Sequence, residues 1–122
     1  MKTFGLWLAA ATFGLLANSA DAAVVSVSSI SGSWTVGQLN DGSSASGTGT
    51  TAMSWGTPAS TGSGQSGYTF TAAPAPSTLN EDVAFTFGTF THENFPITGA
   101  SLETAILQMS FFLNVDGLEH VL

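Results

Sequence analysis

The stretch SLETAILQMSFFLNVDG, Ser101 to Gly117, supports two readings with opposite consequences for the fold. Read with a helical period, it gathers Leu102, Ala105, Ile106, Met109 and Leu113 on one face. Read with a period of two, it places Ala105, Leu107, Met109, Phe111 and Leu113 on one wholly apolar face. Leu102, Thr104, Ile106, Gln108, Ser110 and Phe112 then form a mixed face. The surrounding chain favours the second reading, because serine, threonine, glycine and aromatic residues dominate it and its other apolar segments also alternate. Gly99 on one side and Asn114–Gly117 on the other bound the stretch, which is long enough to bend or to hold two short strands.

Working outward, the same alternation recurs. In EDVAFTFGTF, Val83, Phe85 and Phe87 fall on one face and Ala84 and Thr86 on the other. Phe90 is out of phase with them, which predicts a bulge or bend at Gly88. THENFPITG then reads as a loop in which Gly88, His92, Asn94 and Pro96 shape the turn. YTFTAA (Tyr68–Ala73) reads as a short strand, and PAPST (Pro74–Thr78) as a stiff connection. AVVSVSSI (Ala23–Ile30) reads as a first strand, continued by SGSWTVG with Trp34 and Val36 on one face. NDGSSASGTGT (Asn40–Thr50) and ASTGSGQSG are turn or loop sequences, and Asp41 is a turn residue. Short strands joined by polar loops predict an all-β fold, an antiparallel β-sandwich of jelly-roll-like form.

The chain has 122 residues, room for one domain. Its start reads as a secretory signal peptide over residues 1–22. Met1-Lys2-Thr3 is a positive lead-in, Phe4–Leu16 is an apolar run too short to span a membrane, and Ala20-Asp21-Ala22 has the small-x-small form of a cleavage site. The exported β-rich domain is expected over 23–122. GLEHVL carries no stop signal, so the domain is expected to continue past Leu122, with its last strand missing and an edge unpaired.

Lys2 is the only Lys or Arg in the chain. Beyond residue 22 stand Asp41, Glu81, Asp82, Glu93, Glu103, Asp116 and Glu119, with no lysine or arginine to oppose them. Nothing neutralises phosphates, so nucleic acid is excluded as a natural partner, and attraction to an anionic membrane surface fails for the same reason. A cation is the natural counter-partner. There are no cysteines, which rules out disulfides, thiol chemistry and cysteine-based zinc sites.

Several motifs together resemble the choice-of-anchor domains of bacterial surface proteins, specifically the lettered subgroup K. They are Trp55-Gly56, Ser66-Gly67, Gly88-Thr89-Phe90-Thr91-His92, Asn94 and Pro96-Ile97. The resemblance covers residues 24–118, and its most specific part runs from Phe87 to Ile97. Such domains are named for the varied C-terminal sorting signals that follow them, PEP-CTERM among these. The resemblance implies an exported, β-rich, non-catalytic module at the bacterial cell surface or outside the cell. Its partner would be a surface or matrix component, a glycan among the options. Against that pattern the given sequence is expected to stop inside the family domain, before any sorting signal.

Candidate sites are few. His92 and Glu93 offer an imidazole and a carboxylate for a metal ion or for acid–base chemistry, although zinc prefers three protein ligands and His120 is the only other imidazole. The plainer reading is that His92 ties the loop through backbone hydrogen bonds. Glu81 and Asp82, with Asn80, form an oxygen-rich loop of the kind calcium takes, yet no EF-hand pattern is present. The plainer reading is solvated acids guarding a strand edge. Trp34, Trp55 and Tyr68 offer rings for sugar stacking in a calcium-aided carbohydrate-binding module, or they fill the core. A glycosidase pair would require Glu93 and Glu103, whose separation the sequence leaves open. No nucleophile elbow or phosphate loop is present.

Overall fold

A computed structural model describes residues 22–80 and 82–121. The expected signal peptide therefore lies, apart from Ala22, outside the described residues, as does Glu81. Among the described residues there is no helix, and so none long and apolar enough to cross a membrane. Eight strands follow in order: β1 (Val25–Leu39), β2 (Ala52–Trp55), β3 (Thr57–Pro58), β4 (Ser66–Ala72), β5 (Gly88–Glu93), β6 (Ile97–Thr98), β7 (Leu102–Val115) and β8 (Leu118–Val121). They make three antiparallel sheets, ordered β1-β7-β8, β2-β4-β5 and β3-β6.

Ser101–Gly117 is strand, as its two-residue period predicts. β7 runs unbroken for 14 residues and pairs along nearly its whole length with the 15-residue β1. Leu107 lies opposite Trp34, Met109 opposite Gly32 and Phe111 opposite Ile30. Ala105 and Leu107 of the apolar face pack against the core, whereas Met109 on the same face is 48% exposed. The ladder slips at three places, between Val27 and Ser29, Trp34 and Val36, and Gln38 and Leu39. Each slip moves the side chains beyond it to the other face. The second slip corrects the expectation that Trp34 and Val36 share a face. With Thr35 bulged out, Trp34 opposes the half-buried Leu107 while Val36 opposes the exposed Ile106. The third slip turns Leu102 from the mixed face back to the core, where it packs beside Leu39 and Trp34.

The phenylalanine segment also differs from expectation. Val83–Phe87 joins no ladder, and the strand begins at Gly88. The cause lies in the partner. β4 ends at Ala72, and Pro74 and Pro76 just beyond it have no N–H to offer a ladder. One bond, from Ala73 N to Phe87 O at 2.9 Å, closes the gap. Phe85 and Phe87 still pack as rings, with Phe87 edge-on to Phe111 at 4.8 Å between centroids. Phe90 is out of phase because a strand starts there, not because a bulge interrupts one. Gly88 is needed for close approach: a Cβ there would lie 2.5 Å from Thr71 O and 2.7 Å from the Phe70 ring.

The two larger sheets meet through Phe70, whose ring occupies the space a side chain at Gly32 would fill. The core proper is Trp34, Leu39, Ala45, Met53 and Trp55, with Tyr68, Ile97, Ala100, Leu102, Ala105 and Leu107 against it. Its edges are treated unequally. Along the outer side of β1, Leu39 N, Trp34 N and Val27 N donate to Ser43 O, Thr50 O and Pro76 O, and Ala45 N donates to Gly37 O. Loop segments thus occupy that edge and deny it to other strands. The outer sides of β5 and β8 have no paired strand among the described residues.

The Asn40–Ser43 turn is locally built. Asp41 accepts from Ser43 N at 3.0 Å and from Ser43 Oγ at 2.6 Å. The Ser43 hydroxyl, then its amide, hold the Asp41 carboxyl below its ordinary pKa, because both bonds favour the charged form. The turn role expected for Asp41 is the one observed.

Candidate functional site

Alternation along three neighbouring strands builds one feature outside the ordinary core. On β4, Ser66, Tyr68 and Phe70 share the inward face. Met53 and Tyr68 are register partners, as are Trp55 and Ser66, Tyr68 and His92, and Phe70 and Phe90. Partners across a ladder point the same way, so Trp55, Tyr68, Phe70, Phe90 and His92 lie on one face, with Trp34 arriving from β1.

Tyr68 is the hub. Its ring centroid lies 5.3 Å from Trp34, 5.0 Å from Trp55, 4.9 Å from Phe90 and 4.8 Å from His92. These spacings and tilts suit the ring quadrupoles. Exposure rises across the row. Trp34 is 4% exposed and Trp55 7%, Tyr68 is half-buried, and Phe90 is 53% exposed at the free edge. His92 beside it is exposed as well.

Trp34, Trp55 and Tyr68 therefore do converge, but the two tryptophans act as core. Their faces are covered by neighbouring rings and could stack no sugar. The Trp34 Nε1–H is buried with no hydrogen-bond partner among the described residues. What remains open is the Tyr68–Phe90–His92 end of the row.

His92 is a strand residue of β5 and not part of a loop, and Glu93 follows it in the same strand. Adjacent strand residues point to opposite faces, so the imidazole joins the aromatic row while the carboxylate stands on the outer face over Gly67. The pair cannot converge on one ion. Among the described residues no three of His, Asp and Glu are grouped to hold a metal. Asp82 sits exposed at a positive φ of 59°. Glu103, at the start of β7, stands on a different sheet from Glu93. Asn94 and Pro96 do lie in a loop, between β5 and β6.

Ser66, which the sequence marks only as part of the Ser66-Gly67 motif, has a structural role of its own. It is buried, its Oγ–H donates to Phe95 O at 3.0 Å, and Oγ accepts from Phe95 N at 3.2 Å. One hydroxyl thereby satisfies both backbone groups where the chain leaves β5. Ser66→Ala strands both, and the expected loss is about 1–3 kcal/mol of unfolding free energy, read from a urea titration. A Ser66→Thr variant, which keeps the hydroxyl, should lose less. Besides that motif, the sequence signal for a buried hydroxyl is its position, whose parity matches Tyr68 and Phe70.

No family model, no curated protein and no solved structure matches the chain.

Proposed function

We propose that this chain is an exported, non-catalytic interaction module at the bacterial cell surface or outside the cell. In this reading its two larger sheets form the layers of a sandwich, and its working surface is the unpaired edge of β5. The observation that carries the reading is Phe90. It shares a face and a register position with the buried Phe70, yet stands more than half exposed where the ladder stops. A strand added beside β5 would cover it, continue the aromatic row and satisfy the free backbone groups of the edge.

The occupant we assign is an extended polypeptide segment with alternating apolar and basic side chains. The apolar set meets Phe90 and His92. The basic set meets the opposite face, where Glu93 stands, on a chain whose residues beyond Lys2 include no Lys or Arg. Export is supported by the leader-like residues 1–22 and by the resemblance of the Phe87–Ile97 stretch to choice-of-anchor domains. A calcium-aided carbohydrate module is the second reading, favoured by the exposed rings of Phe90 and His92 beside Tyr68.

Amide NMR separates the two. A short peptide alternating valine and lysine should shift the amides of Gly88–Glu93, and one alternating valine and glutamate should not. Phe90→Ala should weaken the valine–lysine peptide by about tenfold or more, on the scale of a central aromatic contact. Saturable binding of oligosaccharides that chelator abolishes would instead establish the carbohydrate reading. Binding of neither probe would refute both.

A further inference from the structure

The Asp116–Gly117 turn between β7 and β8 carries two consecutive positive φ angles, 49° and 85°. That is the type I′ form whose twist matches a hairpin. Asn114 Oδ1 accepts from Gly117 N at 2.8 Å and closes the turn. The turn also grips the chain entering β1. Val24 N donates to Asp116 Oδ1 at 2.9 Å, and Asp116 N donates to Val24 O at 3.0 Å. Just upstream, Ala22 and Ala23 are exposed and belong to no ladder. Ala22–Val25 and Thr78–Asn80 line a shared groove there.

We infer that cleavage between Ala22 and Ala23 creates an α-ammonium on Ala23 that pairs with the Asp116 carboxylate. The cleavage rests on the export reading above; the pairing rests on geometry. A secretory endopeptidase adds water across the peptide bond. The carbonyl carbon of Ala22 gains the oxygen and leaves as a carboxylate, and the Ala23 nitrogen takes protons and becomes an ammonium. Successive backbone nitrogens lie at most about 4 Å apart, so the new ammonium is held within roughly 7 Å of the carboxylate already bonded to Val24 N. In a processed chain without lysine or arginine, this is the one cation other than histidine.

The surrounding charges reinforce it. Glu119 on β8 stands opposite Asn114 and accepts from Ser28 Oγ at 3.0 Å. Asp82 follows shortly after Leu79, which bridges to Val25. Among the described residues His120, opposite Leu113, is the titratable group on these strands that can oppose the ammonium, and only once protonated. The α-amine pKa is therefore raised on folding. Its contribution to stability is present in full below the unfolded value, about 7.7–8.0, and is lost as pH rises through the folded value.

The test expresses the full chain with its own leader in a secreting bacterium and reads the N-terminus of the exported protein by mass. Recovery beginning at Ala23 is expected. An intact chain, or a different N-terminus, overturns the processing step. The pairing is tested separately, on chain released at Ala23 from a cleavable fusion, with the Val24 amide signal confirming the folded junction. NMR titration should place the α-amine pKa about half a unit above that of D116N. D116N keeps the bond to Val24 N through its amide oxygen and tolerates the left-handed turn. Equal values in the two proteins overturn the pairing even if export holds, and a raised value upholds it even if export fails.

Discussion

Trp34→Ala is expected to lower the unfolding free energy by about 3–5 kcal/mol, the range for truncating a buried indole. Trp34 lies where β1 is stitched to its covering loop, with Trp34 N donating to Thr50 O at 2.8 Å and Gly49 N to Trp34 O at 2.6 Å. Its ring meets Tyr68 and Phe90 of the β2-β4-β5 sheet. Losing it removes the ring contacts that join the two larger sheets beside the Phe70–Gly32 contact, and with them the inner end of the aromatic row. Small domains hold about 5–15 kcal/mol in all, so this variant should be largely unfolded or sharply shifted in a urea melt. Trp34→Phe retains a ring and removes the unsatisfied indole N–H. Its cost should be far smaller, about 1 kcal/mol. A Trp34→Ala protein with an unshifted urea midpoint would show that the core does not pass through this residue.

Gly56→Ala is the second substitution with a large expected effect. Gly56 joins β2 to β3 and carries a φ of 76°. Its carbonyl accepts from Gln65 Nε2 at 2.7 Å. An added methyl would meet the side chain of Ile97, whose Cβ would lie 2.8 Å away, and the left-handed backbone adds its own strain. Together these predict a loss of about 2–4 kcal/mol. Gly62→Ala is the control. Its φ is 92°, but nothing lies within 4 Å of the added carbon, so only the backbone strain of about 1 kcal/mol applies. Chemical denaturation of both variants separates the two contributions. Equal losses would mean that Ile97 moves aside freely and that the β2–β3 corner is not tightly packed.

The resemblance motif at Trp55-Gly56 thus has a physical reading here: the tryptophan is core and the glycine turns the chain from one sheet to the next. His92 has one too. As a strand residue edge-on to Tyr68 at 4.8 Å, it extends the aromatic row to the open edge rather than shaping the loop.

The β character of the chain was legible in its residues. The two-residue period of Ala105–Leu113, the Tyr68–Phe70 alternation and the punctuation at Asn40-Asp41-Gly42 and Asp116-Gly117 are local patterns that select local backbone geometry. The charge of the chain and the leader-like residues 1–22 are equally properties of sequence. Three things were decided only in the folded chain: the start of β5 at Gly88, the separation of Trp34 from Val36, and the convergence of Trp34, Trp55, Tyr68, Phe90 and His92. Each depends on register with a strand distant along the chain. A proline beyond β4 shortens β5, and a bulge in β1 flips every side chain after it. Which edge is stitched over and which stays open follows from those long-range hydrogen bonds, and no local pattern encodes it.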